Sequence, residues 1–157
     1  MNSPRCGVRA EGPRSRGRTV RIVLLSIVLS LAAGAVLYYM LCPDVIFVKY
    51  IDSLLSIERQ PQPALAAGTA VRLVRNYLLD FLWAYSLALS VTLILSGTRG
   101  QYFTAAGICT GLAVILEVLQ YRGVCRGTFD IADIIVEGSA IFIGIAIHIL
   151  IIRGEKE

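Results

Sequence analysis

The sequence predicts an all-α polytopic membrane protein with four transmembrane helices and both termini cytoplasmic, and three observations carry that prediction. The 157 residues are 56% hydrophobic, with a mean hydropathy of +0.71, too apolar for a soluble domain with a hydrated surface. The apolar residues gather into runs at 22–41, 77–96, 102–121 and 134–152. Each run is close to the ~20 residues that one helical crossing of a ~30 Å hydrocarbon core requires. The charge is lopsided as well: of a net +4, residues 1–21 hold six arginines against the single Glu11.

That basic tail, 1–21, lacks aromatic residues and leads directly into an apolar run, so it reads as a membrane-proximal segment facing anionic lipid and not as a nucleic-acid arm. The first run, "IVLLSIVLSLAAGAVLYYML", resembles the apolar stretch of a signal peptide up to "LAAGA". Val36 to Leu41 continue it where a polar cleavage region belongs, which favours an uncleaved span. The connector 42–75 opens with "CPDVIFVKYIDSLL", mixed enough for an interfacial helix, and then breaks at "RQPQPALAAG".

The second span contains one acid, Asp80; the third contains Glu117; the fourth contains Glu137 and His148. With the N-terminus inside, the tail, the loop "GTRGQ" and the end 153–157 hold nine Lys and Arg, against six in the connectors 42–75 and 122–133. The excess next to the first span places both termini in the cytoplasm.

This topology brings the charges together. Asp80 and Glu137 each lie four residues into a span that starts outside, and Glu117 lies five from the end of a span that finishes there. At ~1.5 Å rise per residue, all three sit roughly 5–6 Å below the outer boundary. The connector above them carries Arg122, Arg126, Asp130 and Asp133. Glu117 and Gln120 share a helical face, as do Asp130, Asp133 and Glu137 if the fourth helix starts near Asp130, with Thr128 or Asp130 as its cap.

One reading of this cluster is purely structural: the acids could pair with Arg72, Arg75, Arg122 and Arg126 and pin the helices. Yet an ionisable residue at a span centre costs on the order of 2.5–3.5 kcal/mol, and less near the rim. Three spans each keeping an acid at one depth point instead to a ligand site built from Asp80, Glu117, Gln120, Arg126, Asp130, Asp133 and Glu137. Such a site suits amines, hydroxyls or a bridging divalent cation.

Other features read as packing. Gly107 and Gly111 in "GICTG", and Ala140 and Gly144 in the last span, have the small-xxx-small spacing that lets helices approach within the chain, with a homo-oligomer contact as the alternative use. His148 reads as a packing residue with its polar atoms satisfied, and Tyr77 and Trp83 as an interfacial aromatic belt. Cys6, Cys42, Cys109 and Cys125 form no metal pattern; Cys42 and Cys125 fall on one side and could form a disulfide. No nucleophilic triad or phosphate loop is present.

Glu117 and Gln120, followed by "GTFDIADIIVEG" at 127–138 and Gly144, resemble the VanZ-like family of small bacterial membrane proteins. Its signature is E-x-x-Q, a short loop with Arg and Gly, then D-x-x-D-x-x-x-N-x-x-G. Glu117, Gln120, Asp130 and Asp133 match in type and spacing. Arg126 falls one position from the usual Arg, Glu137 replaces the Asn and the following glycine is displaced. In the second span Asn76 and Asp80 stand where the family has a polar residue and a His. The resemblance covers residues 76–145. It implies a bacterial plasma-membrane protein of the cell envelope, associated with resistance to glycopeptide antibiotics such as teicoplanin, and it implies no reaction.

The leading expectation is therefore an envelope protein whose outward site engages a cell-wall precursor or lipid-linked head group. An acid–base enzyme acting on a glycolipid and a structural subunit of a membrane complex are the rivals. A transporter fits poorly, since no broken helix or repeat is present.

Overall fold

An apolar run in lipid has no water to satisfy its backbone, so it closes every hydrogen bond within itself as a helix. The computed structural model describes residues 13–42, 46–58, 71, 73–98, 100–124 and 130–154, and among these it contains helices and no strands. Helix α1 spans Pro13–Leu41 and α2 spans Ile46–Leu54. A π-helical turn, Val74–Leu78, runs into α3, Leu79–Ile94. Helices α4, Gln101–Tyr121, and α5, Ile131–Gly154, complete the chain. Four stretches, Gly17–Leu41, Val74–Ile94, Gln101–Tyr121 and Ile131–Gly154, are long and apolar enough to cross a membrane. The chain is a multi-pass membrane protein.

The sequence explains where the helices stop. Pro13 suits the first turn of α1, where its missing N–H costs nothing. At the other end Cys42 precedes Pro43, which disfavours helical backbone there. After α4, Gly123 takes a left-handed φ of 69°. The Val124 N–H then reaches back to the Leu119 carbonyl, 2.9 Å away, and ends the helix. The short α2 is amphipathic: Val48 is buried, whereas Ile46, Phe47, Tyr50 and Leu54 are exposed. Tyr39 of α1 donates a hydrogen bond to Asp52 and ties α2 to the bundle.

Helix α3 is the central post, packing against α1, α4 and α5, with its most extensive contact to α5. The core joins Val23 and Ile27 of α1, Ala84, Tyr85, Ala88 and Leu89 of α3, Cys109 of α4, and Ala140 and Ile141 of α5. The hydroxyls of Ser86, Ser90, Thr92 and Ser96 each bond a carbonyl four residues earlier, so α3 carries them without needing partners elsewhere. Where α5 crosses α3, a Cβ on Gly144 would lie 3.1 Å from the Ala88 Cβ and 3.2 Å from the Tyr85 carbonyl oxygen. Even an alanine there would require its neighbours to give by a few tenths of an ångström.

The two small-residue motifs divide here. Ala140 and Gly144 pack within the chain as expected. Gly107 and Gly111 do not: a Cβ on either meets nothing within 4 Å. The reason is rotational, because α4 turns Ala105, Cys109, Ala113 and Glu117 inward at a spacing of four. Gly107 and Gly111 lie two residues out of phase, and so on the opposite side.

Candidate functional site

One end of the bundle gathers acids from three helices. Helix α3 contributes Asp80, α4 contributes Glu117, and α5 contributes Asp133 and Glu137. Glu117 is 4% exposed and Glu137 6%, while Asp80 and Asp133 are half-buried. The four carboxylates lie within electrostatic reach of one another. Two unit charges roughly 6 Å apart repel by about 2–3 kcal/mol at an effective dielectric near 20.

Asp130 organises the rim. It caps α5: its Oδ1 accepts the Ala132 N–H at 2.9 Å, satisfying an amide that the first turn leaves open. Its own backbone N–H donates to Glu117 Oε2 at 3.3 Å, which fixes the start of α5 against the end of α4. Its Oδ2 accepts the Tyr77 hydroxyl at 3.4 Å. The cap expected at Thr128 or Asp130 is thus Asp130, and α5 begins where Asp130, Asp133 and Glu137 can share a face.

Tyr77 is the residue that sequence reasoning assigned only to an aromatic belt. The signal was present: it precedes Asp80 by three positions and so shares its face of the helix.

The arginine pairing of the purely structural reading does not form among the described residues. Arg75 turns to its neighbour, its Nε donating to Asn76 Oδ1 at 3.3 Å, and Arg122 is exposed. No described Lys or Arg pairs with Asp80, Glu117, Asp133 or Glu137. Arg72 and Arg126 lie outside the described residues. Gln120, one turn past Glu117, is half-buried and makes no side-chain hydrogen bond among the described residues. Glu137 Oε2 is buried without a partner among the described residues. Also among the described residues, no three His, Cys, Asp or Glu side chains come together closely enough to hold a metal ion.

Two expectations elsewhere need correction or completion. His148 is fully buried, yet neither ring nitrogen has a hydrogen-bond partner; the ring meets Tyr102 edge-on at 6.0 Å. The packing role read from sequence holds, but the polar atoms expected to be satisfied have no partner among the described residues. Cys42 carries a free thiol, and Cys125 lies outside the described residues.

Compared with protein-family models, curated proteins and solved structures, the chain matches none, so the geometry alone carries the functional argument.

Proposed function

We propose that the chain is a VanZ-like envelope protein of a bacterial plasma membrane. In this reading both termini are cytoplasmic, and the acidic end faces outward to engage the polar head group of a cell-wall precursor or membrane lipid. One observation carries the proposal: four carboxylates from three helices converge, and no described basic side chain neutralises them. A cluster serving only to pin helices would pair its charges, because an unpaired buried charge is costly. The basic tail and the E-x-x-Q and D-x-x-D spacings support the same placement.

The test is genetic. Glu117→Gln and Asp133→Asn are expressed in cells lacking the native protein, and susceptibility to a glycopeptide antibiotic is measured beside membrane abundance. Normal abundance with loss of the envelope phenotype is expected. Loss of the protein in both variants would assign the acids to assembly, and full function in both would remove them from any site.

A further inference from the structure

We propose that the acidic end is a receptor for a primary ammonium group and that Glu137 is one of its buried ligands. This inference rests on the outward site proposed above and names the chemistry of what enters it.

The donor and acceptor inventory makes the first argument. Asp80, Glu117, Asp133 and Glu137 offer carboxylate acceptors. Of the donors at the rim, the Tyr77 hydroxyl and the Asp130 N–H already have partners in Asp130 and Glu117, which leaves the Gln120 amide beside four carboxylates. A complementary ligand therefore brings positive charge and more donors than acceptors. An alkylammonium has that make-up, with three N–H donors on one cationic centre. A phosphate or carboxylate would meet only repulsion.

Glu137 supplies an independent observation. It is 6% exposed, its Oε2 has no partner among the described residues, and Asp80, Glu117 and Asp133 lie within electrostatic reach of it. A buried carboxylate oxygen without a donor is expensive to hold in place, and a charge-assisted N–H bond of about 2.7–2.9 Å would satisfy it. The VanZ-like pattern has Asn at this position. An amide can fill polar space there, but it lacks the charge that an ammonium selects.

Reach discriminates between cations. Mg²⁺ needs its oxygens at about 2.0–2.1 Å and Ca²⁺ at about 2.3–2.6 Å. Among the described residues no three acids approach closely enough to cage such an ion, which would leave it one or two carboxylates and its own waters. An ammonium works at longer N···O distances and can bond one or two carboxylates while the rest neutralise it through space.

The ammonium could belong to a lipid head group or to a free amine, and the experiment separates the two. Full-length protein is placed in lipid nanodiscs, and its melting midpoint is followed by Trp83 fluorescence. In phosphatidylglycerol discs, ethanolamine should raise the midpoint saturably, by several degrees at roughly 100 times its dissociation constant. Choline, which has no N–H donors, and MgCl₂ at matched ionic strength should not. Discs of phosphatidylethanolamine should show the rise with no added amine if the lipid is the source, and discs of phosphatidylcholine should not. Glu137→Gln should abolish the ethanolamine response and Asp133→Asn should weaken it.

Should Glu137→Gln fail to fold, the wild-type contrast between ethanolamine and choline decides. A larger response to Mg²⁺, no response to any amine, or an undiminished response in folded Glu137→Gln overturns the proposal. So does an ethanolamine response gained only in Arg126→Gln, which would make Arg126 the resident cation. If no amine binds but Glu117→Gln and Asp133→Asn still lose the envelope phenotype, the outward site stands and its ammonium ligand falls. If amines bind and those variants keep the phenotype, the ammonium site stands and the envelope role falls.

Discussion

Helix α5 buries two polar side chains without partners, Glu137 and His148, and their surroundings could hardly differ more. They are eleven residues apart on the same face, about three turns or 16 Å along the axis. Glu137 stands among three other carboxylates brought by α3, α4 and α5 itself. His148 stands against the edge of Tyr102, with no charged group drawn to it among the described residues. Between them Gly144 lets α3 and α5 close to contact and seals that crossing. An orphan polar group is therefore weak evidence of function by itself. Its company decides: like-charged groups from several elements demand a cation or a proton between them, whereas a lone imidazole demands only tolerance of its cost.

The seal gives the largest expected effect. Gly144→Leu drives a side chain into a gap already at 3.1 Å for a Cβ and should wedge α3 from α5, costing about 3 kcal/mol or more. Gly107→Leu adds the same atoms where nothing lies within 4 Å and should cost well under 1 kcal/mol. Thermal unfolding of the two variants in one detergent checks this. Equal losses would mean that α4 uses its glycine face after all, in a contact with a second molecule.

The acidic end should respond in the opposite direction. Glu117→Gln keeps an oxygen that can accept the Asp130 N–H while removing one of four mutually repelling charges. The ligand-free protein should hold its melting temperature or gain on the order of 1–2 kcal/mol, the scale of one relieved repulsion in a partly hydrated site. The envelope phenotype should nevertheless be lost. A residue whose neutralisation steadies the fold and removes the activity is there for function. A clear loss of stability would instead return Glu117 to a structural role.

These contrasts also show what the sequence could and could not reveal. The four spans were legible because an apolar run of about 20 residues has one structural answer in lipid. The gathering of Asp80, Glu117, Asp133 and Glu137 was legible from depth, since helical rise converts sequence position into height. Rotation about the helix axis was harder to read. The GxxxG of α4 has a packing spacing, but only the neighbouring helices reveal that Ala105, Cys109 and Ala113 face inward in its place. Partner choice was also hidden: Arg75 and Arg122 lie near the acids in sequence, yet Arg75 bonds Asn76 and Arg122 stays exposed. Long side chains at a membrane boundary have several destinations, and spacing does not select among them.

At the other end of α5, His148→Leu should sharpen the comparison. It replaces two unsatisfied buried nitrogens with an apolar side chain of similar size, so stability should rise by about 1 kcal/mol, and the envelope phenotype and any ammonium response should be unchanged. Loss of the phenotype at wild-type stability would show that the two ends communicate in spite of the packing at Gly144.

The smallest effect is kinetic and asks whether the acidic end is the outer one. Cys42 follows α1 at the same end of the bundle as the acids. Burial raises its thiol pKa above the usual 9.0, and the nearby Arg75 guanidinium partly offsets the rise. Only the thiolate attacks a maleimide. The raised pKa makes the thiolate fraction at pH 7.5 smaller than that of an open cysteine, so labelling should be slow and should quicken about tenfold per pH unit until the pH passes the thiol pKa. Removing the favourable charge by Arg75→Gln should slow it further at fixed pH. On intact cells an impermeant maleimide should label Cys42 with this profile and label Cys6 only after lysis. Cys42 protected until lysis, with Cys6 labelled beforehand, would turn the molecule over. The acids would then face the cytoplasm, and their ligand would have to be sought among cytoplasmic amines and the head groups of the inner leaflet.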